Sequence, residues 1–354
     1  MSFLLIATII LVFVVVFQIA KASEYVSVLK GEEKSRAQNN RINAFLMLAF
    51  LVVGLIGVWW CNDLLYKKTL LPMTSASKEG MDIDKMLWIT LAITGVVFVI
   101  LQILLFTFVF RFQEKPNRKA FYFPHNNKLE VLWTVVPAIF LLVLVVFGLK
   151  YWFHMTGEAP KDAIEVEITG KQFNWIYRYP GHDGKFGKTY FKNIDENKSN
   201  PLGQLWDDPA NQDDLVETSE LHIPVNHPVK LIIHSRDVIH DVGLSQFRMK
   251  MDAVPGIPTT MWFTPQFTTE EMKKKTGNPD FVYEISCDQM CGPGHFGMRG
   301  IIVVDSEDDY KKWLDAQKPN YYAAFPEKAP GATPTPPPST QDSSSVHRVT
   351  ASIK

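Results

Sequence analysis

Hydrophobic and polar positions are unevenly distributed along the 354 residues. Four apolar runs fill the first part of the chain, at residues 3–20, 42–60, 86–110 and 131–149. A helix needs about 20 apolar residues to cross a bilayer, so four transmembrane helices are predicted. From about residue 161 the pattern turns to alternation. Ile164, Val166 and Ile168 share one face, as do Phe173, Trp175, Tyr177 and Tyr179, then Val229, Leu231 and Ile233, then Phe281, Tyr283 and Ile285. A period of two marks half-buried strands, and a last apolar stretch at 301–304 closes the series. Many short strands separated by Gly, Pro and Asn turns predict a β-sandwich or barrel. Residues 305–316 read as a short amphipathic helix, with Tyr310, Trp313 and Leu314 available to pack. The expected organisation is therefore two N-terminal helices over 1–66, a helix hairpin over 81–155 and a β-domain over 160–318. A Pro- and Ser-rich flexible tail is expected over 326–354.

Charge adds an orientation. The formal net charge is −1, which gives no case for nucleic acid as a partner. Lys21, Lys30, Lys34, Arg36 and Arg41 lie between the first and second runs, and Arg111, Lys115, Arg118, Lys119 and Lys128 between the third and fourth. Basic loops stay in the cytoplasm. The intervening loop dilutes Lys67, Lys68 and Lys78 with Asp63, Glu79, Asp82 and Asp84, and so faces outward. The β-domain is then expected on the periplasmic side of a bacterial inner membrane. The first run lacks a basic n-region and a small-residue cleavage site, which favours a retained helix over a signal peptide. Glu130 stands at the start of the fourth helix. An acid there either complements the helix dipole or faces water or a partner.

The chemistry concentrates in one loop, Cys287-Asp288-Gln289-Met290-Cys291-Gly292-Pro293-Gly294-His295-Phe296-Gly297-Met298. Thiolate, imidazole and thioether together favour copper over hard cations. A blue-copper site uses one cysteine; a second cysteine a few residues away can bridge two metal ions. The competing readings are a disulfide or a pair of buried thiols. A dinuclear site needs a second histidine from another strand, and His222, His227, His234 and His240 are the candidates.

The segments Asp237-Val238-Ile239-His240, Lys250-Met251-Asp252-Ala253-Val254-Pro255-Gly256, Cys287 to Met298 and Glu130-Val131-Leu132-Trp133-Thr134-Val135-Val136-Pro137-Ala138 carry a resemblance. They resemble subunit II of haem–copper cytochrome c oxidases, over about residues 86–317. The resemblance implies a cupredoxin-type Greek-key barrel on an α-helical membrane anchor. It implies a dinuclear copper centre, CuA, held by the side chains of His240, Cys287, Cys291, His295 and Met298 and by the backbone carbonyl of Gln289. It implies electron transfer from a c-type cytochrome to haem in subunit I, which also carries copper, with oxygen reduced to water there and protons translocated. Subunit III is a further implied partner. No Cys-x-x-Cys-His occurs, so the cytochrome is a separate polypeptide. Glu130 is similar in position to the acid at the mouth of a proton-uptake path.

Four features depart from the family pattern. The two N-terminal helices are extra. Phe173 stands where the family has the surface tryptophan that accepts electrons, with Trp175 at the second aromatic position. Gln289 replaces a glutamate that helps bind magnesium at the subunit I interface, and an amide is a weaker ligand for a hard cation. The segment 181–220 is an enlarged loop carrying Asp207, Asp208, Asp213, Asp214, Glu217 and Glu220. It reads as a solvated acidic loop or as a docking surface for a basic electron-transfer partner. The rival functions are the CuA subunit of a nitric oxide reductase and a membrane-anchored copper-binding protein with no electron-transfer role.

Overall fold

The structure is a computed structural model and describes residues 2–69, 73–115 and 118–331. Most of the predicted flexible tail, from residue 332 on, lies outside the described residues. The chain divides into two compact units, residues 1–154 and 155–354.

The first unit holds α1 (Ser2–Lys30), α2 (Glu32–Leu65), α3 (Lys78–Arg111) and α4 (Asn127–Thr156). Among the described residues these four helices are long and apolar enough to cross a membrane. Each predicted apolar run lies inside one of them. Most of their described apolar side chains stay exposed, Leu142 at 64% for example, as expected of helices whose solvent is lipid. Both ends of α3 and the start of α4 are closed by side chains. Ser77 Oγ accepts from Gly80 N at the start of α3. Arg118 donates to the carbonyls of Arg111 and Gln113, at 3.0 and 2.6 Å, beyond its end. At the start of α4, Asn126 Oδ1 accepts from Leu129 N while Glu130 Oε1 accepts from Asn126 N at 3.3 Å. The Glu130 carboxylate thus closes its own helix end.

The second unit is a β-sandwich. Its strands are β1 (Ile164–Lys171), β2 (Asn174–Tyr179), β3 (Leu215–Glu217), β4 (Glu220–Pro224), β5 (Val229–Ser235), β6 (His240–Leu244), β7 (Met249–Ala253), β8 (Thr259–Phe263), β9 (Tyr283–Cys287) and β10 (Arg299–Asp305). They form two five-stranded sheets, ordered β3-β2-β1-β5-β8 and β4-β10-β9-β6-β7. Pairing is antiparallel except for β1 with β5 and β4 with β10. The inward residues Val166, Ile168, Leu231 and Ile233 of the first sheet are fully buried, as are Val242, Leu244, Ile285 and Ile302 of the second. This is the face-to-face packing that alternation on both sheets requires. Short helices α5 (Thr269–Thr276), α6 (Glu307–Ala316) and α7 (Asn320–Ala324) flank the sandwich. The predicted amphipathic helix is α6, whose Trp313 stacks on His222 at 4.2 Å.

β2 breaks the alternation: Trp175, Ile176, Tyr177, Arg178 and Tyr179 are all buried. The segment 181–214 accounts for it. Arg178 donates to Asp214, Glu167, Asn211 and the Gly187 carbonyl. The acids of this segment are therefore largely engaged. Asp214 is fully buried, Asp213 accepts from Asp183 N, and Asp208 accepts from Lys188 N.

Candidate metal centre

The ligand candidates come from two places in the second sheet. His240 opens β6, and Cys287 closes β9 at the start of the loop leading to β10. β6 and β9 are hydrogen-bonded neighbours, with Val242 opposite Cys287. Pairing in this register brings His240, over forty residues earlier in the chain, against the loop. The loop is closed at its base, where Cys287 N donates to Met298 O at 3.2 Å.

The donor atoms converge. His240 Nδ1 lies 3.8 Å from Cys287 Sγ. Cys287 Sγ lies 3.8 Å from Cys291 Sγ and 3.2 Å from the Gln289 carbonyl. Cys291 Sγ lies 3.6 Å from His295 Nδ1 and 3.9 Å from Met298 Sδ. His240, Cys287 and Cys291 offer ligand atoms within 4.8 Å of one another. All six candidate groups are thus brought together. The other histidines are engaged elsewhere: His222 with Asp305, His227 with the Asp162 carbonyl, and His234 beside Glu167.

The donor set fits a metal. Both cysteines are free, and 3.8 Å is far beyond the about 2.05 Å of a disulfide. Cys287, Cys291, Met298 and His240 are all buried. Burial, reinforced by the neighbouring Cys287, pushes the Cys291 thiol up to about 11. Two thiolates in such a place need a cation to share, which a bound metal supplies. Thiolates, imidazoles and a thioether are a donor set consistent with copper. Gln289 faces the cluster with its carbonyl while the residue as a whole is exposed.

Three residues that carried no assigned role in the sequence hold the centre in place. Asp237 Oδ1 lies 2.8 Å from His240 Nε2, and Asp237 also accepts from Gln172 N and Val238 N. This fixes the ring proton on Nε2 and leaves Nδ1 free to face Cys287. Gln172 Nε2 donates to the Cys291 carbonyl at 2.6 Å. The turn between β1 and β2 is therefore clasped to the metal loop. Gly170, on β1, lies directly under the imidazole: a Cβ there would come within 2.9 Å of His240 Cδ2.

The two candidate aromatics separate. Trp175 is fully buried, its ring 6.1 Å from that of His240 and edge-on to it. Phe173 precedes β2, is 38% exposed, and lies against Gly292 and Gly294 of the loop. Met290 and Phe296 of the same loop are also exposed.

Residues 64–151 match the model of the cytochrome c oxidase subunit II transmembrane domain, and residues 164–306 that of its periplasmic domain. The alternative cytochrome c oxidase subunit 2 of Bradyrhizobium diazoefficiens is 40% identical over 279 residues, covering 77% of this chain and 91% of the relative. The chain belongs to the cytochrome c oxidase subunit II family. Cytochrome c oxidase subunit 2 of Cereibacter sphaeroides is 28% identical over 255 residues, covering 70% of this chain and 80% of that subunit. A crystal structure of the periplasmic domain of subunit II from Bradyrhizobium japonicum aligns at 25% identity. It covers 45% of this chain and 95% of that one, with a TM-score of 0.30. As a subunit II, the chain combines a membrane domain with a periplasmic one. The candidate centre falls wholly within the periplasmic match.

Proposed function

We propose that this subunit accepts single electrons from a separate c-type cytochrome at a dinuclear copper centre on the periplasmic face of a bacterial inner membrane. It passes them to haem in subunit I, where oxygen is reduced to water and protons are translocated. The observation that carries this reading is the pair of unbonded sulfurs 3.8 Å apart, with His240 Nδ1 beside one and His295 Nδ1 beside the other. A single metal needs one such half; two halves sharing two sulfurs suit two metals.

Copper held there would supply one-electron exchange with little change of geometry. Cys287 and Cys291 would be the shared ligands, and His240 and His295 the terminal ones. Met298 Sδ, beside Cys291, and the Gln289 carbonyl, beside Cys287, would complete the set. Asp237 holds the His240 imidazole in the required tautomer. Electron uptake is assigned to the surface formed by Phe173, Met290 and Phe296, which is exposed and continuous with the ligand loop. Buried Trp175 packs edge-on against His240. Glu130 is the proposed mouth of the proton path, supported by its place at an exposed α4 start. A magnesium ion at the subunit I interface would meet the Gln289 amide, a weaker donor than a carboxylate.

Electron paramagnetic resonance of the copper-loaded full chain tests the proposal. The expected spectrum shows one unpaired electron shared by two equivalent copper nuclei, together with intense thiolate-to-copper absorption. The signal should vanish in Cys287→Ser. A pattern from a single copper nucleus defeats the dinuclear reading.

A further inference from the structure

The beginning of α2 and four residues beyond α3, Glu114, Lys115, Arg118 and Lys119, border a cavity of about 300 Å³ that the electron-transfer reading does not use. Arg36, Lys115, Arg118 and Lys119 line it together with Glu33 and Glu114, and Glu32 lies beside Arg36. Its two walls are tied together: Asn40 Nδ2 donates to the Glu114 carbonyl at 3.4 Å. Deeper along the helices, Phe45 of α2 packs edge-on against Phe110 of α3 at 5.6 Å. The cavity is therefore set by packing between helices, at one end of two membrane-spanning segments.

The cations in it are poorly neutralised. Arg36 approaches Glu32 at 3.5 Å and Glu114 at 3.6 Å, with all three side chains exposed. At those distances neither contact is a hydrogen bond, and exposed pairs of this kind contribute little. Lys115 and Lys119 have no ion-pair partner among the described residues. Arg118 spends its donors on the carbonyls past α3, which fixes its charge at the cavity wall. A weakly paired Arg36 guanidinium with two ammonium groups unpaired among the described residues is a donor set for phosphate oxygens. A basic pocket between helices at the membrane boundary is reached most directly by a lipid headgroup.

We infer that this cavity binds the phosphate of an anionic phospholipid, and that the second of the extra N-terminal helices supplies half of the site. The test uses the full chain in detergent, followed by native mass spectrometry. It is titrated separately with phosphatidylglycerol, phosphatidylcholine and inorganic phosphate. One phosphatidylglycerol should be retained in preference to phosphatidylcholine. Arg36→Gln with Lys115→Gln should weaken that retention by roughly tenfold or more. Lys34→Gln with Lys128→Gln removes the same charge from the same end of the helices but outside the cavity, and should change retention less than twofold. Equal losses in the two double variants would show bulk attraction and overturn the site. So would equal retention of both lipids. Inorganic phosphate displacing the lipid at equal concentration would assign the cavity to a free anion instead.

Discussion

A methyl group at Gly294 would place its Cβ 2.4 Å from Cδ2 of Phe173, so the loop glycine and the surface aromatic form one packed unit. Gly294→Ala should destabilise the copper-loaded β-domain by about 1–3 kcal/mol through overpacking. Phe173→Ala in the same chain should restore most of the loss in chemical denaturation. Additive losses would mean the two residues do not press on each other. Asp237 invites a second substitution. Asp237→Asn keeps the shape but weakens the hold on His240 Nε2, and should lower copper affinity about 10–100-fold in competition with a chelator. Unchanged affinity would remove Asp237 from the centre. The cysteine loop was legible because its ligands fall within twelve residues at fixed spacing. His240 was legible only as one of several histidines until the resemblance singled it out. Gln172, Asp237 and Gly170 were not legible as supports. Their roles arise where the turn between β1 and β2 meets a loop far along the chain, and no local pattern encodes that meeting.

At the scale of elements, alternation located the strands well and misdescribed one face. β2 was expected to show one apolar side, but both sides are buried because the enlarged segment folds back over it. The same folding turned an expected acidic surface into a partner for Arg178. Arg178→Ala would leave Asp214 buried without its cation and half-buried Glu167 with only His234 nearby, and should cost about 3–5 kcal/mol in unfolding of the β-domain. A loss under about 1 kcal/mol would show that water compensates for the missing guanidinium. The segment is also pinned by Glu196, whose carboxylate accepts from Lys171 and Arg236 at 2.7 Å. Those hydrogen bonds hold its carboxyl below the usual range. A lowered folded value means the tie is fully present above the ordinary glutamate range and is lost as pH falls through the lowered value. Amide exchange around residues 190–200 should therefore quicken, relative to the sandwich core, on acidification below about pH 4.5. Glu196→Gln should flatten that dependence.

Over the whole molecule, the helices were the most legible part, since length and apolarity alone decide whether a segment can span lipid. The pairing order of the sheets was not legible, because it depends on contacts between distant strands. The ligands bridge β6 and the loop after β9, so metal should stabilise one unit and leave the other alone. Removing copper should lower the unfolding temperature of the β-domain while the helical far-ultraviolet signal persists to higher temperature. A simultaneous loss of both signals would show that the units unfold as one. Gly170 has a consequence of another kind, for inheritance. Any side chain there strikes the imidazole at position 240, so the two positions are not free to drift apart. A descendant that abandons its histidine releases both at once. A distant sequence that keeps the glycine and histidine together carries a trace of the old metal pocket, even where the cysteines have gone.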